Sequence, residues 1–231
     1  MITAQHKAWA HCIFYPYLKW LCKRRFHAIE LLGCLPDIPD GMPVLLLPNH
    51  STWWDGFFPY LLNKAIFKRT YYIMMLEHRL REFWFFRLLG AFSINQQSPK
   101  GIIETLSYTI SILTSPNTVP LVVMFPQGEL RPSAVRPLAY NRGVERVLAK
   151  VRQYRSPLAV VPLAMRCEFL AEERPFVFLE CGTPHIFLPT EENTETNDVL
   201  PSAQLLEQKT EILLKQLEQR IIAGERGIGI L

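Results

Sequence analysis

Short, wholly apolar runs recur along the chain and constrain its fold more than any other feature of the sequence. Because polar and apolar residues do not alternate within them, they predict strands buried on both faces of a sheet. These predicted strands cover residues 44–47, 70–76, 119–125 and 158–165. A shorter strand is predicted within 90–96, and another over 175–180 at a sheet edge, where Pro175 is tolerated.

The segments between these runs have apolar residues at helical spacing. Helices are predicted over 5–32, with a break near Pro16, over 57–67, 77–89, 102–113 and 144–151, and after a capping Ser202. Residues 190–198 are predicted to form a solvated loop. Strands that alternate with helices predict an α/β fold, in which a central, largely parallel or mixed sheet is flanked by helices.

One apolar run leads directly to a histidine and an aspartate. Residues 44–47 are followed by His50 and, five positions later, by Asp55. On an ideal helix these two side chains would point about 140° apart, so a turn must separate them. Ser51 or Thr52 supplies that turn as a helix N-cap. Asp55 would then accept the Nδ1 proton of His50 and leave Nε2 as a general base, although such a pair alone is also common as a structural feature.

Basic and aromatic residues are concentrated in the first part of the chain. Residues 1–100 carry 12 Lys and Arg against 6 Asp and Glu, whereas residues 101–231 carry 13 against 15. This mixture favours the interface of an anionic membrane, and a packed core helix is the alternative. We therefore predict an N-terminal, membrane-interfacial helical segment over 1–35 and a catalytic domain over 36–231.

Several classes of protein are excluded by the composition. No window has 18 uncharged apolar residues, so no spanning helix is expected, and the N-terminus lacks a secretory signal. No nucleic-acid-binding signature accompanies the basic residues. The odd number of cysteines and the lack of a CxxC pair favour reduced thiols without a metal site. We expect a peripheral or monotopic protein on the cytoplasmic face of a membrane, with membrane lipid as a partner and neither nucleic acid nor metal.

Four blocks spread over residues 44–165 resemble the glycerolipid acyltransferases of the lysophosphatidic acid acyltransferase type. They are the HxxxxD motif from His50 to Asp55, residues 90–96, Phe125-Pro126-Gln127-Gly128, and residues 161–163. Each block is weak alone, but their order and intervals match the family. The resemblance implies that residues 36–231 form an acyltransferase domain that acts in lipid metabolism, such as phospholipid biosynthesis.

The resemblance also implies a mechanism. His50, held by Asp55, would take the proton from an acceptor hydroxyl, whose oxygen attacks the thioester carbonyl of acyl-CoA or acyl-carrier protein. Backbone N–H groups at the start of the following helix are expected to stabilise the oxyanion. The acyl thioester is a co-substrate, and no cofactor is implied. Ser51 as a nucleophile is the rival mechanism, but no GxSxG elbow surrounds it.

The chain departs from the family at some of its substrate-binding positions. These positions are Gln96, Phe125, Pro126, Gln127, Gly128 and Arg131. The family commonly has arginine where Gln96 stands and glutamate where Gln127 stands, so both charges are missing here. Arg131 lies one place later than the family's arginine, and it either reaches an anionic group or braces its own loop. These departures put a simple phosphate-monoester acceptor in doubt.

The leading hypothesis is therefore O-acyl transfer to a lysophospholipid or related lipid. The alternatives are acylation of a non-phosphate acceptor such as a glycolipid or carotenoid glycoside, a non-catalytic lipid-binding protein of the same fold, and a serine hydrolase. The aromatic residues 83–86 cannot all face a core, so some are expected to line an acyl-chain groove or to touch lipid.

Overall fold

A mixed sheet forms the centre of the protein. The computed structural model describes residues 1–188 and 200–231, so the loop predicted over 190–198 lies outside the described residues. The strands are β1 (Ala28–Leu32), β2 (Val44–Pro48), β3 (Thr70–Leu76), β4 (Ala91–Ile94), β5 (Pro120–Val123), β6 (Leu158–Glu168), β7 (Phe176–Cys181), β8 (His185–Phe187) and β9 (Ile228–Gly229). The helices are α1 (Ala8–Arg25), α2 (Phe58–Leu62), α3 (Glu77–Glu82), α4 (Pro99–Leu113), α5 (Gly143–Gln153) and α6 (Ala203–Ile222).

The strand order determines where a ligand site is expected. Over the described ranges the sheet has nine strands in the order β4-β3-β5-β2-β6-β7-β1-β9, and β8 pairs with β6. The strands from β4 to β6 in this order pair in parallel, whereas β6 pairs antiparallel with β7 and β8. The carboxyl ends of β2, β4 and β5 therefore lie at one edge, where α/β sheets usually place their ligands.

Helices cover both faces of the sheet. The core on one face includes residues of α1 and α2, and the core on the other includes residues of α4, α5 and α6. In β2, Val44 and Leu46 contribute to the first core, and Leu45 and Leu47 contribute to the second. All four are fully buried. This burial on both faces confirms the predicted α/β fold and explains why the run lacks polar alternation.

Three predictions about strands need correction. Residues 28–32 form β1 instead of continuing a helix, because β7 and β9 supply backbone partners on both sides. In β3 only Tyr71 is buried, because the strand lines a cavity rather than a closed core. β7 is not an edge strand, since it lies between β6 and β1. Pro175 precedes its first residue, so the proline does not interrupt the hydrogen-bonded ladder.

α1 is a continuous helix with two different faces, and the break predicted near Pro16 is wrong. The row packed on the core consists of Ala10, Phe14, Leu18 and Cys22. The exposed row, which we call the aromatic face, consists of Trp9, Ile13, Tyr17 and Trp20. Within 1–188 and 200–231, none of the helices combines the length and apolar character needed to cross a bilayer. The division of the chain at residue 35 stays a prediction.

The helix predicted over 77–89 consists of two pieces. α3 ends at Glu82, and a 3-10 helix follows over Trp84–Leu89. Gly90, at φ 103°, ends this second piece and allows β4 to begin. A Cβ atom at Gly90 would lie 2.0 Å from the carbonyl oxygen of Tyr71, so the close approach of β3 requires glycine.

Candidate active site

His50 and Asp55 lie together beyond the carboxyl end of β2. Thr52 is the N-cap of a 3-10 helix over Trp53–Gly56, which places Asp55 in its first turn. The His50 Nδ1 and Asp55 Oδ2 atoms are 3.1 Å apart. The turn between the two residues therefore has the predicted form. An ionised carboxylate can only accept hydrogen bonds, so Nδ1 of His50 carries the proton that Asp55 accepts. Nε2 is then the nitrogen left for a substrate.

The Asp55 carboxylate is buried and held by several donors besides His50. Its Oδ2 atom accepts hydrogen bonds from the backbone N–H groups of Ser51, at 2.5 Å, and Thr52, at 2.8 Å. Its Oδ1 atom accepts one from the Thr52 hydroxyl at 2.6 Å. These two backbone N–H groups are consequently occupied. The expectation that N–H groups at this helix start stabilise an oxyanion must be corrected for Ser51 and Thr52.

The backbone of His50 is fixed by the loop after β5. The Gln127 side chain accepts a hydrogen bond from the His50 N–H at 2.6 Å, and the Arg131 N–H donates to the His50 carbonyl oxygen at 3.0 Å. The Phe125 ring stacks on the imidazole with a centroid distance of 4.2 Å. Three residues of one loop thus set the position of His50 from both its backbone and its ring.

Asn49, next to the histidine, joins β2 to β6. Its side-chain amide donates to the Met165 carbonyl oxygen at 3.1 Å and accepts from the Met165 N–H at 2.7 Å. Asn49 is buried, so both polar ends of the amide are satisfied inside the protein. This residue therefore anchors the strand end that carries His50.

Two amide side chains hold the loop after β5 from opposite sides. Asn141 donates to the carbonyl oxygens of Pro126, at 3.2 Å, and Gln127, at 3.0 Å. Gln96 donates from Nε2 to the Gly128 carbonyl oxygen at 2.8 Å. Gly128 has φ 72°, and a Cβ atom there would lie 2.8 Å from the Asn141 amide nitrogen. The left-handed backbone and this close contact together explain the glycine.

A cavity of about 450 Å³ opens beside His50. Most of its wall is apolar and includes Phe14, Phe57, Tyr60, Tyr71, Ile73, Met75, Phe83, Phe86 and Leu89. Its polar end is formed by Gln96, Gly128 and Glu129 together with His50. Burial raises the pKa of the Tyr60 and Tyr71 phenols, so both hydroxyls remain neutral in the wall. The site combines a histidine with a largely apolar compartment.

The aromatic cluster over 83–86 is divided between the cavity and the surface. Phe83 and Phe86 line the cavity, as predicted for part of the cluster. Phe85 packs against Phe14 of α1, with a centroid distance of 6.0 Å. Trp84 is 60% exposed and lies beside Phe85.

The predicted substrate-binding residues fall into two groups. Gln96, Phe125 and Gly128 line the same cavity as His50. Pro126 and Gln127 are buried behind it, in the loop that positions the histidine. The Arg131 guanidinium pairs with the Glu129 carboxylate at 2.7 Å, which fits the prediction that it braces its own loop. Their roles in binding substrate stay predictions.

The sequence reasoning missed three residues of this site, namely Asn49, Glu129 and Asn141. Asn49 directly precedes His50, and its place between a buried strand and the motif was a usable signal. Asn141 carried no such signal, because its contacts reach back 14 and 15 positions. Among the residues described, no group of three or more His, Cys, Asp or Glu side chains could hold a metal ion.

These features define an α/β enzyme with a His-Asp pair at a strand end and an apolar substrate compartment. The family model described as Acyltransferase matches residues 35–166, which contain the HxxxxD motif and the three further blocks. The chain belongs to this acyltransferase family, and the predicted resemblance is confirmed at that level.

The chain also matches several solved structures, among them an acyltransferase. The 1-acyl-sn-glycerophosphate (LPA) acyltransferase PlsC from Thermotoga maritima is 17% identical, with a TM-score of 0.46. The match covers 83% of this chain and 72% of that chain. No curated protein sequence matches the chain.

Proposed function

We propose that this acyltransferase moves a fatty acyl group from acyl-CoA or acyl-carrier protein to a hydroxyl of a lysophospholipid or related lipid. The 3.1 Å contact between His50 Nδ1 and Asp55 Oδ2 carries the assignment of His50 as the general base. Nε2 takes the hydroxyl proton while the hydroxyl oxygen bonds to the thioester carbonyl carbon. The carbon–sulfur bond then breaks, and the imidazolium returns the proton to the thiolate.

The cavity supports a fatty acyl chain as part of the substrate. Its volume of about 450 Å³ lies within the usual range for small-molecule sites. Each methylene that leaves water for this apolar wall contributes about 0.8 kcal/mol. The polar end beside His50 then holds the reacting groups.

We also propose that the protein works as a peripheral or monotopic protein on the cytoplasmic face of a membrane. The aromatic face of α1 exposes large rings that suit the lipid headgroup region. The last turn of the same helix carries Lys23, Arg24 and Arg25, which attract anionic lipids. Phe14, on the packed row of α1, lines the cavity, so the proposed membrane contact lies next to the substrate compartment.

The decisive experiment measures thiol release from acyl-CoA and from acyl-carrier protein with a panel of lysophospholipids and a glycolipid. We expect acceptor-dependent release in the wild type and a loss of about 10² to 10⁴ in rate for His50→Ala, because one oriented general base is removed. His27→Ala is the matched control, since His27 is exposed and lies outside the cavity lining.

Full activity of His50→Ala would refute the proposed mechanism. Labelling of the protein by a serine-reactive phosphonate would favour the serine hydrolase instead. If the wild type transfers nothing from either donor, the non-catalytic lipid-binding protein becomes the better explanation.

A further inference from the structure

The polar end of the cavity carries an ion pair attached to the catalytic histidine. Glu129 lines the cavity, and its Oε1 atom accepts from Arg131 Nε at 2.9 Å and pairs with Arg131 Nη2 at 2.7 Å. The Arg131 N–H in turn donates to the His50 carbonyl oxygen. Among the described residues, Glu129 is the one carboxylate in the cavity lining, and it lies two positions from Arg131, whose N–H is bonded to the backbone of His50.

Two arginines in or next to the cavity lining already have anionic partners. The Nε and Nη2 atoms of Arg131 both contact the Oε1 atom of Glu129. Arg79, which also lines the cavity, pairs with Glu82 at 2.9 Å. Gln96 offers a neutral amide, and its Nε2 atom donates to the loop. These side chains can thus form hydrogen bonds, and the positive charge of each arginine is balanced by a carboxylate.

This balance of charge affects a phosphate monoester and an uncharged acceptor differently. A phosphate monoester carries about −1.5 to −2 charges at neutral pH. Beside His50 it would approach the Glu129 carboxylate and would have to compete with it for Arg131. An uncharged polyol or sugar hydroxyl meets no such repulsion, and the carboxylate can accept a hydrogen bond from it.

We propose that Glu129 is a specificity-determining residue, which holds Arg131 and presents a carboxylate at the cavity mouth so that uncharged hydroxyl acceptors are selected over phosphate monoesters. This inference rests on the proposed function, because it concerns the acceptor of the same site. Within the lysophospholipids and related lipids of the proposed function, it favours acceptors whose headgroup is a polyol or a sugar.

The test uses two acceptors that differ only in the phosphate, a monoacylglycerol and the lysophosphatidic acid with the same acyl chain, both in neutral detergent micelles. We expect the wild type to prefer the monoacylglycerol in kcat/KM. In Glu129→Gln the ratio of lysophosphatidic acid to monoacylglycerol activity should rise about tenfold, and less at high salt, because exposed charges are screened.

Two further variants identify the cause of that rise. Glu129→Gln/Arg131→Gln should return the ratio toward the wild-type value, since the released guanidinium is gone. Glu225→Gln removes one carboxylate from an exposed ion pair with Arg220, outside the cavity lining, and should leave the ratio unchanged.

Equilibrium binding of the monoacylglycerol and the lysophosphatidic acid is also measured with His50→Ala and with His50→Ala/Glu129→Gln. It gives the headgroup preference whether or not transfer occurs. A binding preference for monoacylglycerol without any turnover would refute the proposed function and support the inference. A wild-type preference for lysophosphatidic acid, or a ratio that Glu129→Gln does not change, would overturn the inference while acyl transfer stands.

Discussion

The Asp55 carboxylate accepts four hydrogen bonds, and only one of them comes from His50. The other three come from Ser51 and Thr52, so the orientation of the carboxylate does not depend on the imidazole. Asp55 therefore has two separable tasks, which are to form the turn and to hold the Nδ1 proton. The proposed task of His50 lies in the chemistry alone.

This separation predicts different outcomes for two substitutions. Asp55→Asn should lower both activity and thermal stability. The amide nitrogen of the asparagine would face backbone N–H donors, and the charge-assisted hydrogen bonds to the carboxylate, worth about 1.5 to 3 kcal/mol each, would be lost. His50→Ala should lower activity and leave the unfolding midpoint nearly unchanged. Thermal unfolding midpoints and thiol-release rates are measured for both variants. Equal midpoints for Asp55→Asn and His50→Ala would contradict the division of tasks.

At the scale of elements, a row of stacked rings joins the start of the chain and α1 to Tyr60 of α2. His11 Nδ1 lies 3.0 Å from the Tyr60 hydroxyl, and His6 stacks on His11 with a centroid distance of 5.8 Å. Burial, together with the nearby Lys64 and His6, lowers the pKa of His11 to about 4. The helix therefore packs around neutral imidazoles.

The protein should lose stability as the pH falls from about 6.5 toward about 4. In this window the unfolded chain binds a proton at His11 that the folded protein excludes. The slope from this residue is at most about 1.4 kcal/mol per pH unit, and partial exposure reduces it. His11→Gln should flatten the dependence of the urea midpoint on pH between 7 and 5. An unchanged slope in that variant would exclude His11 as the cause.

Local signals determined which elements could be predicted. The β2 run and the capping Thr52 lie close together in the sequence, so the strand and the turn between His50 and Asp55 followed from it. β1 could not be predicted in this way, because its partner β7 is more than 140 positions away and its pattern also fits a helix. Asn141 and the Glu129–Arg131 pair depend on the path of the loop after β5, which no periodic pattern describes.

At the scale of the whole molecule, the aromatic face and the basic end of α1 make up the proposed membrane-contact surface, and α1 packs on the side of the sheet that contains the cavity wall. Deletion of residues 1–30 would be a poor test of this surface, because it also removes most of β1 and the packed row of α1. Substitution of exposed rings leaves those contacts in place.

We predict that Trp9→Ser/Trp20→Ser lowers the partition onto anionic liposomes by about tenfold, because two large side chains lose apolar contact with lipid. Tyr154→Ser is the control, since Tyr154 is 65% exposed at the end of α5, whose buried residues pack on the opposite face of the sheet. Flotation at low and high salt measures both variants. Equal partition of the double variant and the wild type would refute membrane binding through α1.

The place of β2 within the sheet has a consequence for the durability of the enzyme. β2 lies between β5 and β6, and Asn49 ties its end to β6. Strands in the middle of a sheet open only when the surrounding structure opens with them. Warming should therefore not loosen His50 ahead of the rest of the molecule, and the working life of the enzyme is tied to the survival of the entire fold.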